Sequence, residues 1–426
     1  MRETKEFEFL ADAPIASEAE DVLNFSIHAK EIANQVQKWF DKNEKDRKES
    51  FVIGIEGEWG VGKTSLINLI KKEINKYNEN KNIINIIDFN PWNFSNTDAL
   101  ILEFFHSIDD SLGNNKQFKK LSKNYIKAIL SGSNISARIN IFNIISTEWQ
   151  SKEIKFKDKP LQKQKEEIDK IFNDKQIIII IDDIDRLDLL ETNMIFKLIK
   201  RTANFPNTVF LLAYDRKRLS EKIDRDGYPG EEYLEKIIQL SYPLTVSIYE
   251  QNLYEGLWGN IRNIIGDDFK YVNEARFGEA VRKIIYLINI REVKQYINLI
   301  KSDWKTYISK HNNAEPINSK MNLTDFLIIR LIKTLAPEFF KSIRKNRDFF
   351  VSESKTNWQY RDSNARIFSQ RSGVRVIMQE PILDICKMLF PKLIQNSKNS
   401  GPLRQEDKGI HRNNVFDLYF YINKEW

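Results

Sequence analysis

An apolar run, Phe51–Glu56, leads without a break into Gly57-Glu58-Trp59-Gly60-Val61-Gly62-Lys63-Thr64, and Leu66, Ile67, Leu69 and Ile70 follow at helical spacing. The central octet fits G-x-x-x-x-G-K-[ST], a phosphate-binding loop that is meaningful only between a buried strand and a helix. Both flanks are present, so the sequence predicts a β-strand, a tight loop and a helix in α/β packing. Each residue type has a physical reason. Gly57, Gly60 and Gly62 admit backbone conformations closed to other residues, so that successive N–H groups can turn toward one anion. A helix opening near Lys63 adds its positive dipole end. Lys63 is then expected to reach the β- and γ-phosphates of a nucleoside triphosphate, and the Thr64 hydroxyl to ligate Mg²⁺. Trp59, Val61 and Ser65 complete the predicted loop; Trp59 packs the loop, reports nucleotide state, or is ordinary buried apolar surface.

A second constellation lies about 120 residues downstream. Ile177–Ile181 is five isoleucines in a row, the mark of a strand apolar on both faces of a parallel sheet. Asp182 and Asp183 follow at its C-terminal end, where open α/β sheets bind their ligands. The expected roles are metal binding for Asp182 and orientation of an attacking water for Asp183.

Other features bound the class. At 426 residues, the chain is long enough for two to three subdomains. A single cysteine, Cys386, excludes an intramolecular disulfide framework and suits a reducing, cytoplasmic setting; its apolar neighbours at helical spacing predict a core position. The charged first residues lack a secretory signal's apolar core, and no run approaches the roughly 18 apolar residues that span a bilayer, so no membrane association is expected. The 66 Lys and Arg against 60 Asp and Glu leave +6, spread along the chain. This balance permits nucleic-acid contact, but no named nucleic-acid motif is present. His28, His106, His311 and His411 are scattered without metal-ligand spacing.

Along the chain, an acidic, extended segment over 1–20 precedes an amphipathic helix from Asp21 to Lys42. A strand over Asn85–Phe89 stops before Pro91. Residues 97–130 read as helical, Ser131–Ser133 as a loop, and the charged stretch 151–175 as an exposed helix or insertion. Val209–Tyr214 is another buried strand, ending at Asp215. Beyond residue 246 the pattern is mainly helical, with a polar loop expected over 394–409. Alternating strands and helices imply a parallel sheet with crossovers. The expected domains are a nucleotide-binding core over 1–245, with an insertion at about 113–175, and a helical region over 246–426.

Several elements together resemble one family. They are the two motifs above, Asp182-Asp183-Ile184-Asp185-Arg186, Phe89-Asn90-Pro91-Trp92, Ala213-Tyr214-Asp215 and Tyr233–Gln239. The opening Phe9–Ile15 with Glu20 and Asp21, and the closing Phe416–Phe420, fit as well. The set is similar to the KAP family of P-loop NTPases over about residues 8–300. The resemblance implies an additional-strand ATPase core, in which the strands bearing the two motifs are separated in the sheet, followed by a helical lid. Many members carry membrane helices between the motifs, and this sequence has none there. That departure places it with the soluble bacterial members, several of them linked to phage defence. Asn289-Ile290-Arg291 resembles the lid's Asn-Pro-Arg element with Ile in place of Pro, and implies nucleotide contact by Arg291.

Arg186 is read as acting in its own site, as a finger in a neighbour's site, or as a salt-bridge partner of Asp182, Asp185 or Asp188. Asp215 is a sensor near the γ-phosphate or a helix cap. The leading expectation is a Mg²⁺-dependent ATPase, favoured over a GTPase because no Asn-Lys-x-Asp motif is evident, and acting as a homo-oligomer if the finger comes from a neighbour. The alternatives are an ATP-gated assembly platform that recruits a separate effector protein with little turnover, and a nucleic-acid-dependent translocase.

Overall fold

The structure, a computed structural model, describes residues 11–21, 23–42, 46–81, 84–94, 97–132, 161–173, 175–225, 229–245, 250–310, 321–350 and 375–390, with 410, 416, 419 and 420. The described residues divide into two compact units. One is Pro14–Thr245; the other starts at Val246 and includes residues 11–13.

The first unit is a parallel sheet wrapped by helices. Its elements are α1 (Phe25–Phe40), β1 (Phe51–Glu56), α2 (Lys63–Lys81), β2 (Ile84–Phe89), α3 (Thr97–Ser111), α4 (Lys116–Gly132), α5 (Leu161–Phe172), β3 (Gln176–Ile181), α6 (Leu189–Lys197), β4 (Thr208–Tyr214), α7 (Arg216–Asp224), α8 (Gly230–Ile237) and β5 (Leu240–Pro243). The strand order is β2-β3-β4-β1-β5, and every pairing is parallel. Parallel neighbours require crossover connections, which the helices supply. The isoleucine strand β3 is interior and almost wholly buried, with Ile178 registered on Val209 of β4 and on Ile86 of β2. Strand β4 stands between β1 and β3, so the two motif-bearing strands are separated as the resemblance implies. Their C-terminal ends emerge along one edge of the sheet.

Several local expectations need correction. Helix α1 begins at Phe25 rather than Asp21, because the Asp21 carboxylate accepts from the Phe25 and Ser26 amides (2.9 and 2.7 Å) while Asn24 turns left-handed at φ 60°. The acidic segment before it carries a 3₁₀ turn over Glu18–Glu20 instead of running fully extended. Residues 97–130 form two helices, divided where Gly113 and Asn114 take φ of 72° and 55°. Ser131 and Gly132 belong to the end of α4, not to a loop. Within the charged stretch, α5 buries Ile168 and Phe172 completely, and the Phe172 ring stacks on Phe205 at 4.4 Å, so this helix is part of the core. Residues 9–10, 133–160, 311, 394–409, 411 and 417–418, on which other expectations fall, lie outside the described residues.

The described residues of the second unit are mainly helical. They form α9 (Glu250–Ile265), α10 (Glu274–Arg282), α11 (Ile290–Lys310), α12 (Leu323–Leu335), α13 (Pro337–Lys345), α14 (Arg347–Phe350) and α15 (Val376–Leu389). Helix α12 is buried on nearly every side, including Arg330, whose Nε donates to Asp303 at 2.5 Å and whose Nη1 donates to the Tyr419 carbonyl at 2.6 Å. A buried guanidinium needs this degree of partnering to be tolerated. Cys386 is fully buried on α15, and burial pushes its thiol well above the ordinary range. No described helix is long and apolar enough to cross a membrane.

Candidate functional site

The loop leaving β1 has the geometry its glycines predict. Gly60 and Gly62 take φ of 84° and 105°, in the region that disfavours side chains. Gly57 is needed for space instead: a Cβ there would sit 2.7 Å from Val61 Cγ1 and 2.8 Å from the Leu244 carbonyl oxygen. Helix α2 then opens at Lys63, so its first amides face the loop.

Lys63 is 7% exposed, and its Nζ donates to the carbonyls of Gly57 (2.7 Å) and Glu58 (3.1 Å). Burial pushes its ammonium below the ordinary value, while Asp185, Asp182, Asp215 and Asp183 pull the other way. One buried cation therefore faces four carboxylates from the ends of β3 and β4.

Thr64 Oγ1 donates to Asp182 Oδ2 at 2.7 Å, joining two motifs that stand 118 residues apart. The other Asp182 oxygen accepts from the Asp183 amide at 2.8 Å. A hydroxyl and a carboxylate brought together beside an anion-binding loop fit a magnesium ion, a hard cation that binds through one or two carboxylates plus substrate phosphates. Among the described residues, no group of three or more His, Cys, Asp or Glu offers an all-protein metal cage.

Asp183 has a left-handed backbone, φ 59° and ψ 32°. Burial raises its carboxyl pKa, and Asp182 adds to the rise, against the opposing charge of Arg186. The Arg186 guanidinium pairs with Asp183 itself, Nε to Oδ1 at 3.1 Å, and not with the three aspartates that the sequence offered. The 3₁₀ turn Ile184–Arg186 explains this: it carries the side chain back over the residue three earlier. Arg186 also lies 5.9 Å from the Trp59 ring centroid. Trp59 is 49% exposed, which corrects its reading as buried apolar surface.

Asp215 caps α7, accepting from the Arg218 amide at 3.2 Å, and its own amide donates to Asp185 Oδ1 at 3.2 Å. It thus fills the capping role and also stands in the carboxylate set around Lys63. Ser65 Oγ accepts from the Ile15 amide (3.2 Å), and Asn68 Nδ2 donates to the Ile15 carbonyl (3.1 Å), tying the segment before α1 to α2. Arg291 belongs to the helical unit, where it pairs with Asp12 at 2.5 Å. Asn289 caps α11 reciprocally with Glu292 (3.0 and 2.9 Å).

Sequence reasoning missed Glu56. Its Oε1 accepts from Tyr214 Oη (2.8 Å), Arg216 Nη1 (2.7 Å) and Ser241 Oγ (2.6 Å), binding β1, β4, α7 and β5 together immediately before Gly57. The available signal was a carboxylate ending an otherwise apolar strand. Lys222 was missed as well; its Nζ donates to the carbonyls of Asp185 (2.9 Å) and Leu187, holding the segment after β3 in place.

Comparison with known proteins agrees with this geometry. The model of the KAP family P-loop domain matches residues 29–303. The chain belongs to the KAP family. A curated relative, the phage T7 exclusion protein of Escherichia coli (strain K12), is 30% identical over 225 residues, covering 46% of this chain and 30% of the relative. The chain thus spans under a third of that relative's length. Among solved structures, the Aeropyrum pernix ORC2 protein in its ADP form is 12% identical, with a TM-score of 0.33 over 81% of this chain and 84% of that one. Drosophila ORC bound to DNA is 10% identical, with a TM-score of 0.37 over 93% and 91% of the two chains. At these scores the likeness is loose.

Proposed function

We propose that this KAP chain is a magnesium-dependent ATPase, active as a homo-oligomer, and that it serves as the motor or sensor of a bacterial anti-phage system. The observation that carries the catalytic part is the Thr64–Asp182 hydrogen bond, which unites a phosphate-binding loop with a strand-end carboxylate. In this reading the loop amides from Gly57 to Ser65 and the Lys63 ammonium bind the triphosphate, with Trp59 and Val61 shaping the loop. Thr64 and Asp182 hold the metal. Magnesium, when bound, neutralises charge on the β- and γ-phosphate oxygens. Asp183 orients water for attack, and Asp215 reports on the γ-phosphate through the Asp185 contact. Arg186 offsets the charge developing in the transition state. Arg291 takes a nucleotide contact by family resemblance. The defence role rests on the name of the phage T7 exclusion protein, of which this chain matches only a part.

One observation favours the second reading, an ATP-gated platform that recruits a separate effector. The carboxylate assigned to water is already engaged by Arg186 within the same chain. Phosphate release measured against protein concentration separates the two. An oligomeric ATPase gives rates that rise faster than linearly and vanish in Lys63→Ala and Asp183→Asn. ATP-driven assembly, seen as a mass increase without phosphate release, supports the platform.

A further inference from the structure

One helix of the first unit carries positive charges alone. Helix α4 carries Lys116, Lys119, Lys120, Lys123 and Lys127 and no Asp or Glu. Among its described side chains, Phe118, Ser122, Tyr125 and Ile126 are buried, so the helix is anchored along one face. With 3.6 residues per turn, the five lysines fall in a sector of roughly 100°, centred about 130° from the buried face. Burial and the nearby ammoniums of Lys127 and Lys119 push the Lys123 ammonium below its ordinary value, consistent with like charges gathered on one strip. Lys119 also acts on Asp109 at the end of α3.

The geometry points to this ridge as a binding surface for the phosphate backbone of a nucleic acid. At 1.5 Å per residue, Lys116 to Lys127 spans about 16 Å. A duplex carries one charge per about 1.7 Å of its axis, both strands counted, so a ridge of this length lies within reach of several phosphates. A membrane surface fits less well. An interfacial helix needs large apolar side chains beside its cations, and none of the exposed ones among the described residues lies on α4. The contact is to backbone charge, so it carries affinity without sequence preference. It does not depend on the hydrolysis proposed above and is measured without nucleotide.

The test is fluorescence anisotropy with a labelled 30-base-pair duplex and a 30-nucleotide single strand across a KCl series. The full chain is compared with a ridge triple (Lys120→Gln, Lys123→Gln, Lys127→Gln) and a control triple in the helical unit (Lys305→Gln, Lys341→Gln, Lys345→Gln). Counterion release predicts that the ridge triple flattens the log K against log salt slope by about 2.7 for duplex and about 2.1 for single strand. Affinity at 50 mM KCl should fall more than tenfold, the control triple should change little, and Lys→Arg at the ridge positions should bind as the parent does. If the ridge triple loses its far-ultraviolet circular dichroism, the exposed pair Lys116→Gln and Lys120→Gln carries the test, with an expected slope change of about 1.8. Equal losses in ridge and control variants would overturn the proposal. So would binding to phosphatidylserine vesicles, or to poly-glutamate, without binding to either nucleic acid.

Discussion

Replacing Glu56 by Ala tests how the nucleotide-binding loop is anchored. The Glu56 carboxylate takes three donors from three other elements, and the next residue, Gly57, supplies the carbonyl that holds Lys63. Tyr214 is fully buried, so its hydroxyl has no water to turn to when the carboxylate is removed. Orphaning a buried donor costs about 1–3 kcal/mol. The Ser241 hydroxyl touches the same phenol and recovers part of this. Arg216 is more exposed, and losing its pairing adds under about 1 kcal/mol. The expected net loss is therefore about 2–3 kcal/mol for the strand-and-helix unit. At about 2–4 °C per kcal/mol for a unit of this size, the melting temperature should fall by roughly 4–12 °C. Scanning calorimetry of the full chain, following the transition that nucleotide shifts upward, measures it. Tyr214→Phe leaves Glu56 two donors and should cost only about 1 kcal/mol, and the double variant should show coupling above about 0.5 kcal/mol. A shift below 2 °C in Glu56→Ala, or strict additivity with Tyr214→Phe, refutes the reasoning.

Four further outcomes follow from the same geometry. Gly57→Ala forces a Cβ against the Leu244 carbonyl, which cannot yield without moving β5's exit, so ATP affinity should drop at least tenfold by titration. Asp183 binds its proton more tightly folded than unfolded. Its stabilising contribution is present below the unfolded carboxylate value and is lost as pH rises through the raised folded value, so Asp183→Asn should flatten the fall of stability in that window. Arg186 holds the same carboxyl down, so Arg186→Ala should move the acid limb of kcat/KM upward; an unchanged or lowered limb contradicts the ion pair's influence. Cys386 should resist iodoacetamide in the native chain and react only on unfolding, as followed by mass spectrometry.

Strong local patterns made much of this molecule legible from its residues. Strands β1, β3 and β4 stand out because burial on both faces leaves unbroken apolar runs, and α2 because its apolar spacing begins at a defined loop. Thr64 meets Asp182 because strand ends in a parallel sheet gather at one edge. What escaped were choices made by single backbone angles and by tertiary partners. The left-handed pair Gly113–Asn114 divides one helical pattern in two. The 3₁₀ turn after Asp183 decides which aspartate Arg186 meets. Glu56 acquires its three donors from residues 158 to 185 positions away, which no local pattern records. The charge of α5 concealed that its Ile168 and Phe172 complete the core.

The most direct test of the account is calorimetric titration of magnesium-ATP into the full chain, beside Lys63→Ala and Thr64→Val. The account predicts one saturable site in the parent, loss of binding in Lys63→Ala, and loss of the magnesium dependence in Thr64→Val. Equal binding by all three proteins, or none at millimolar ATP in the parent, would contradict it.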